Sequence, residues 1–508
     1  MSDIDGLEMK TRVDEILNRH PALGFALGVV RNGSLEFFHT HGLADLAPNR
    51  PVAEDTVFRV ASITKTFTAI AVMQLWEQGL IELDAPANDY LRAYQLIPAN
   101  TSWRPATLRH LLTHTAGIPE QVPRSGIFRT DFGESVKVGR PVPSLADYYR
   151  GGLGLNAEPG TMFRYGDHGP ATLGQIVEDV SGTSLNRYLG EHVFEPLGMA
   201  DTTLLRSKVV QSRLATGYKL SSTGPKPVTD REVVTAGAGG IYSSPKDMAR
   251  YLAALLGGGA NEHGSVLKPA TLASMFAAQY QPHPRIPGMG LAFWRRTAGG
   301  HPVVEHQGII PGFDSQILAA PDDGVGLMAF TNGASRAVQW MPVEMSRLLH
   351  HLLGVPEDVI RTDVPQQPEI WGDICGWYYL PGPLTDVRLR TIAGAGVEVF
   401  VRRGQLVLRF LTPIPALYRG FPLHPADDTD PYVFRMDLSE FGLGPFTVVF
   451  SSKPETETMA VHFDVMPLSA QQQAQRTNPR LWVEAALALS TIAILGRVFR
   501  RTRHHRKT

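Results

Sequence analysis

Phe58-Arg-Val-Ala-Ser62-Ile-Thr-Lys65-Thr-Phe-Thr-Ala-Ile-Ala-Val-Met-Gln-Leu-Trp-Glu-Gln-Gly79 sets a hydroxyl and an amine three residues apart at the head of an apolar segment. Phe67, Ile70, Ala71, Leu75 and Trp76 keep near-helical spacing, and Gly79 stands where a C′ glycine ends a helix. Residues three apart on a helix share a face, so the spacing predicts that Ser62 and Lys65 meet in the first turn, near the positive end of the helix dipole. A serine beside an amine that has lost its proton is an activated nucleophile. The same S-x-x-K spacing recurs at Ser243/Lys246 and Ser265/Lys268. Ser243 reads as part of a loop that starts a helix at Ser-Pro245, and Ser265 lies in a turn rich in Gly, Asn and His. Only Ser62 opens a long apolar helix.

The 508 residues are 43% hydrophobic and 19% charged, a globular composition whose length suggests about two to four domains. A net charge of −1 gives no global pull toward nucleic acid, and basic residues cluster only at the extreme C-terminus. The single cysteine, Cys375, excludes an intramolecular disulfide and a cysteine-rich metal site, and reads as a small buried residue. The opening Met-Ser-Asp-Ile-Asp-Gly-Leu-Glu-Met-Lys-Thr-Arg has alternating charge and no apolar core, so no secretory signal is expected and the chain is placed in the cytoplasm.

Leu7 to Ile16 suits an amphipathic helix. Phe25 to Val30 and Ser34 to His39 suit two strands joined through Arg31-Asn32-Gly33, a strong hairpin signal. His110 and His114 are four apart, as two metal ligands on one helix face would be. Leu111 stands where an H-E-x-x-H glutamate belongs, however, so packing is expected and no metal. Pro119 to Ser144 has no clear period and reads as a functional loop or lid. Tyr165-Gly-Asp167 follows a Pro-Gly turn and leads into a helix from about Ala171 to Val180. Ala236 to Leu252 joins a glycine-rich turn to a helix without the G-K-[ST] of a phosphate loop, so its glycines are read as permitting close packing and no cofactor is expected. Strands around His306-Gln-Gly308 and from Val325 precede a helix over Val338 to Leu353.

Ser62-x-x-Lys65, Tyr165-x-Asp167 and His306-x-Gly308, in that order, resemble the serine β-lactamase and penicillin-binding-protein superfamily. The closest likeness is to its class C branch with the related esterases and D-amino-acid peptidases, over roughly Pro21 to Leu353. The resemblance implies an α+β fold, an antiparallel sheet of five to seven strands flanked by helices, with a helical subdomain and the site in the cleft between. It implies Ser62 as the acylated nucleophile, Lys65 with Tyr165 as the basic pair, His306 in the catalytic set, and Asp167, Gly308 and Ile309 at the substrate. The oxyanion would lie between the backbone N–H groups of Ser62 and Ile309, on an edge strand. A lysine near pKa ~10.4 has to be pushed down to act as a base, and His306 is expected to titrate near ~6.5.

Two residues depart from the pattern. Asp167 replaces an asparagine whose amide pairs with a substrate amide, and His306-Gln307 replaces a Lys-Thr pair that grips a carboxylate. Both point away from efficient β-lactam hydrolysis; small esters or D-amino-acid amides and peptides are the substrates the resemblance implies. A catalytically weak relative that binds acyl or peptidoglycan-type ligands is the alternative. A different fold, the α/β-hydrolases, has only the approximate elbow Gly333-Ala334-Ser335-Arg336-Ala337 in its favour.

The sequence thus divides into a hydrolase domain over 1–354, a proline-containing linker over 355–370, a β-rich domain over 371–468 similar to the lipocalin-like domain of some superfamily members, a polar tether over 469–480, and an apolar helix with a basic tail over 481–508. The β-rich domain is expected to be a small antiparallel barrel or sandwich. Leu481 to Phe499 would reach roughly 28 Å as a helix, just short of a ~30 Å hydrocarbon core, so membrane contact is expected, by spanning or by lying in the interface; a packed soluble helix is the other reading.

Overall fold

The computed structural model describes residues 5–120, 134–382, 390, 394–441, 444–452 and 458–481. They form two compact units, Met1–Val359 with Leu438–Pro445, and Ile360–Asp437 with Phe446–Thr508.

In the first unit, β1 (Gly24–Arg31) and β2 (Ser34–Asp45) make the expected hairpin. Asn32 and Gly33 have φ of 51° and 81°, the pair of left-handed residues that a two-residue type I′ turn requires. With β3 (Arg50–Pro51), β4 (Trp294–Ala298), β5 (His301–Ile310), β6 (Phe313–Ala320) and β7 (Val325–Thr331) they form a seven-stranded sheet in the order β4-β5-β6-β7-β1-β2-β3. Every pairing in it is antiparallel. The segment Gly333-Ala334-Ser335 therefore leaves an antiparallel strand, which removes the α/β-hydrolase reading, since that elbow tops a parallel sheet.

The helices that matter here are α1 (Gly6–Arg19), α2 (Thr64–Glu77), α3 (Leu108–Leu112), α4 (His168–Ser181), α5 (Pro245–Leu256) and α6 (Ala337–Leu353). All eight residues of β1 are buried, because the sheet is covered on both faces. Phe25, Leu27 and Val29 pack with Met9 and Val13 of α1 and with Trp340 and Met345 of α6. Ala26 and Val30 join the larger core built around Phe67 and Ile70 of α2 and Leu252 of α5. Each such side chain stabilises the unit by about 1.5–3 kcal/mol relative to exposure.

The helix is apolar as its sequence reads, and the structure buries every residue from Thr64 to Leu75. Threonines survive there because each hydroxyl has a partner. Thr66 donates to Ile63 O at 2.7 Å, Thr68 donates to Gly237 O at 2.7 Å, and Thr64 accepts from Ile241 N at 3.1 Å.

The second unit is one antiparallel sheet of nine strands: β8 (Gly376–Tyr379), β9 (Gly396–Arg402), β10 (Gln405–Phe410), β11 (Phe421–Pro422), β12 (His424–Pro425), β13 (Val433–Asp437), β14 (Pro445–Ser452), β15 (Met459–Phe463) and β16 (Leu468–Gln473). Its order, β11-β10-β9-β8-β16-β15-β14-β13-β12, puts at the two ends strands that are separated in sequence by Leu423 alone, so the sheet is nearly closed into a barrel. On this sheet Glu398 is buried and bonded by Arg409 Nε at 2.6 Å, Asn478 Nδ2 at 2.9 Å and Arg480 at 3.0 Å.

The expected lid falls in part, at 121–133, outside the described residues, and so does the expected C-terminal helix beyond Leu481. Among the described residues no helix is long and apolar enough to cross a membrane.

Candidate active site

Ser62 lies one turn earlier than a simple helix start would put it. Phe58–Arg59 pairs with Tyr242–Ser243, and Ala61 then takes a φ of +47°, a left-handed conformation that costs a non-glycine residue roughly 1–2 kcal/mol. A single 3₁₀ turn, Ala61–Ile63, follows and hands the chain to α2. Strain of this kind is held only where surrounding contacts dictate it, and here it presents Ser62 at the mouth of a buried helix.

Lys65 is fully buried, and its ammonium has three donors to place. They go to Ser62 Oγ at 2.8 Å, Asp167 Oδ1 at 2.6 Å and the Ala238 carbonyl at 3.0 Å. Burial pushes the lysine down, as expected of a base, yet the Asp167 carboxylate and then the Tyr165 phenol reverse this, and the net shift is upward. The expectation of a lowered lysine is therefore corrected: Lys65 is held as an ammonium that donates to Ser62.

Asp167 occupies the N-cap position of α4, where an aspartate ordinarily accepts from the first helical N–H groups. Its side chain makes no cap bond and is spent on Lys65 instead. Two residues back, the Tyr165 ring lies 5.0 Å from Lys65 Nζ. It is enclosed by His114, Trp294 and His306, with ring centroids at 4.6, 5.6 and 6.4 Å.

His306 has no exposed surface, and its Nδ1 lies 2.8 Å from the Gln307 carbonyl. A carbonyl only accepts, so Nδ1 carries the hydrogen and Nε2 the lone pair, which finds no partner among the described residues. Burial first, and the Lys65 charge second, push the imidazole down to about 3. His306 is therefore neutral at working pH, which corrects the titration expected near ~6.5. His114 is pushed down to about 3 by the same two causes. It does not share a helix face with His110: α3 ends at Leu112, His114 has φ +57°, and His110 Nδ1 accepts from Thr107 N at 3.2 Å in a capping box.

Gly308 sets the distance between β5 and the Ser62 turn. A Cβ there would stand 2.1 Å from the Val60 carbonyl and 2.3 Å from Ser315 Oγ, so only glycine allows the approach. Ser315 Oγ donates to the same carbonyl at 3.0 Å. β5 is not an edge strand, as the sequence suggested; it lies second in the sheet. β4 pairs with it only as far as Glu305, however, so the edge from His306 to Ile309 is left uncovered by β4.

The two other S-x-x-K serines are structural. Ser243 Oγ is buried at 2.8 Å from Thr202 Oγ1, Ser265 Oγ lies 3.2 Å from the Leu267 carbonyl, and both Lys246 and Lys268 are exposed. Sequence reasoning read His114 as packing without placing it against Tyr165, and missed the Ala238 carbonyl. The glycine-rich stretch hinted at the last, since its close packing brings a backbone acceptor to Lys65.

The Beta-lactamase family model matches residues 9–351. Penicillin-binding protein 4 of Amycolatopsis lactamdurans is 30% identical over 370 residues, covering 69% of this chain and 91% of that protein. Esterase EstB of Burkholderia gladioli is 29% identical over 284 residues, 50% of this chain and 71% of the esterase. The solved structure of the octameric penicillin-binding protein homologue from Pyrococcus abyssi superposes with a TM-score of 0.58 at 22% identity, over 92% of this chain and 100% of that one, a likeness of fold. A family model that spans the seven-stranded sheet, α2 and all three motif segments leaves one assignment: the chain belongs to the Beta-lactamase family of serine hydrolases.

Proposed function

We propose that the protein cleaves small esters, or D-amino-acid amides and peptides, through an acyl-enzyme on Ser62. The observation that carries this reading is the 2.8 Å contact of Lys65 Nζ with Ser62 Oγ beside the Tyr165 ring. Ser62 Oγ attacks the substrate carbonyl, and the backbone N–H groups of Ser62 and Ile309 receive the oxyanion. The Lys65–Tyr165 unit takes the serine proton, passes it to the leaving group, and then activates the water that hydrolyses the acyl-enzyme. Kinship with an esterase and a penicillin-binding protein supports this range of acyl substrates.

Within that range the site favours esters over β-lactams. His306 is neutral and supplies no permanent cation for a β-lactam carboxylate, and Asp167 offers acceptors where an amide would pair with a substrate amide. The purified protein should accept one serine-directed phosphonate label. It should turn over a short-chain p-nitrophenyl ester with a higher kcat/KM than a chromogenic cephalosporin; the reverse ranking would overturn the substrate assignment.

A second reading, a weakly active protein that chiefly binds acyl ligands, draws support from one feature: Asp167 holds Lys65 as an ammonium. Asp167→Asn tests how far this limits the rate. Reaction requires the Lys65–Tyr165 unit to lose a proton, so the rate rises with pH. The amide removes the first influence that keeps the proton on and leaves burial, which drives it off. The rising limb of the pH–rate profile should therefore move to lower pH; a limb that stays in place or moves up would refute this account of Asp167.

A further inference from the structure

An oxyanion shared by two backbone N–H groups needs both donors within about 2.7–3.1 Å of one point. Ser62 would carry one of them on the Ala61–Ile63 turn and Ile309 the other on β5, so the gap between turn and strand is set by tertiary contact. That contact is made at the Val60 carbonyl, two residues before Ser62. The oxygen accepts from Ser315 Oγ at 3.0 Å and from Ile63 N at 3.2 Å. Among the described residues, the Ser315 bond is the one hydrogen bond that joins residues 60–64 to the seven-stranded sheet.

Ser315 stands on β6 directly across from Gly308, as its neighbour Asp314 stands across from Ile309. It is 1% exposed, so it meets no substrate. Its Oγ also lies 3.4 Å from the Gly308 carbonyl, and the shorter contact, to Val60, takes the hydroxyl hydrogen. Gly308 gives the Val60 carbonyl room to approach, but room by itself holds nothing in place; the hydroxyl supplies the attraction. From the other side Val60 N donates to the Ile241 carbonyl at 3.1 Å, so the residue is gripped at both its polar groups. The next residue is Ala61, strained at φ +47°. With the Val60 carbonyl released, that strain favours rotation of the Val60–Ala61 peptide, and the turn that carries the Ser62 N–H shifts with it.

We propose that Ser315 is a positioning residue of the oxyanion hole: its hydroxyl clamps the Val60 carbonyl against Gly308 and so fixes the spacing between the Ser62 and Ile309 N–H groups. The inference rests on the proposed roles of those two donors.

The test compares Ser315→Ala with wild type for turnover of a p-nitrophenyl ester and for inhibition by phenylboronic acid, whose tetrahedral adduct on Ser62 sets an oxygen in the hole. The alanine variant should lose about tenfold in kcat, a part of the ~10²- to 10³-fold that loss of a whole donor costs. KM should stay within about twofold, because the interaction is gained in the transition state. The boronate inhibition constant should rise in step with the loss of kcat. The rising limb of the pH–rate profile should keep its midpoint, since the Lys65–Tyr165 unit is untouched. Ser315→Thr, which keeps the hydroxyl, should recover most of the rate. Folding should survive in Ser315→Ala, as the Val60 carbonyl keeps its bond from Ile63 N.

Wild-type kcat in Ser315→Ala, a loss confined to KM, a boronate constant that stays put while kcat falls, or a displaced midpoint would each overturn the proposal. So would a Ser315→Thr protein with the wild-type thermal midpoint and the alanine rate. Should the alanine variant fail to fold, Ser315→Cys decides: its thiol is a weaker donor, so kcat should fall in step with the boronate constant, and wild-type kcat there overturns the clamp. Wild-type protein that neither turns over ester nor takes the phosphonate label would sink the proposed function itself. An active enzyme indifferent to Ser315→Ala would sink only the role of Ser315.

Discussion

Ser62→Ala is expected to lower kcat for a p-nitrophenyl ester by about 10⁴- to 10⁶-fold, the range seen when single members of a serine hydrolase's catalytic set are removed. The variant should also lose the phosphonate label. Ser243→Ala, Ser265→Ala and Ser335→Ala should keep both. The contrast follows from what each hydroxyl touches: Ser62 Oγ meets a buried ammonium, whereas Ser243 meets a threonine and Ser265 a backbone carbonyl. The structural cost of Ser62→Ala is small, since it leaves one Lys65 donor unmet at a half-buried position. Its thermal midpoint should stay close to wild type. A label that survives Ser62→Ala, or that disappears in Ser335→Ala, would refute the assignment.

Lys65→Ala and Tyr165→Phe are expected to cause losses of similar size, on the order of 10³- to 10⁵-fold in kcat, and the double variant should lose little more than either alone. Members of a unit are grossly non-additive, since the second removal acts on machinery already disabled. The contact of the Lys65 ammonium with the Tyr165 ring, and the share of the phenol in raising Lys65, are the physical basis for treating the pair as one proton-transfer unit. Lys65→Ala also strips Asp167 of its partner. Breaking a fully buried pair costs about 3–5 kcal/mol, and less here because a third of the Asp167 side chain is exposed. Tyr165→Phe removes only a hydroxyl and keeps the ring stack, so it separates chemistry from folding. Losses that multiply in the double variant would show two groups working independently.

What could be read from the chain beforehand has a common character. The Asn32-Gly33 hairpin, the helix ended at Gly79 and the Ser62-to-Lys65 contact depend on neighbours a few residues away, and turn and helix geometry hold wherever they occur. The antiparallel sheet, expected with five to seven strands, came from the likeness carried by three motifs. Patterning gave way where burial was complete: α2 and β1 are enclosed on every side, so neither shows the single apolar stripe or the alternation that an exposed face imposes.

Charge states were not legible. Asp167 looked like an acceptor that weakened amide recognition, His306 like a group titrating near neutrality, and Lys65 like a base lowered by burial. Each depends on what stands within a few ångströms in space, and those partners lie far off along the chain. Lys65 meets Asp167 across 102 residues and Ala238 across 173.

The sequence by itself thus determined which residue types meet locally and which family pattern they compose, because spacing of three or four residues translates directly into contact. Only the tertiary structure decided that Lys65 is a buried ammonium and that His306 is neutral with its lone pair on Nε2. The reason is electrostatic: in a desolvated site a protonation state is set by the nearest opposite charge and the water excluded around it, and neither quantity is local in the chain.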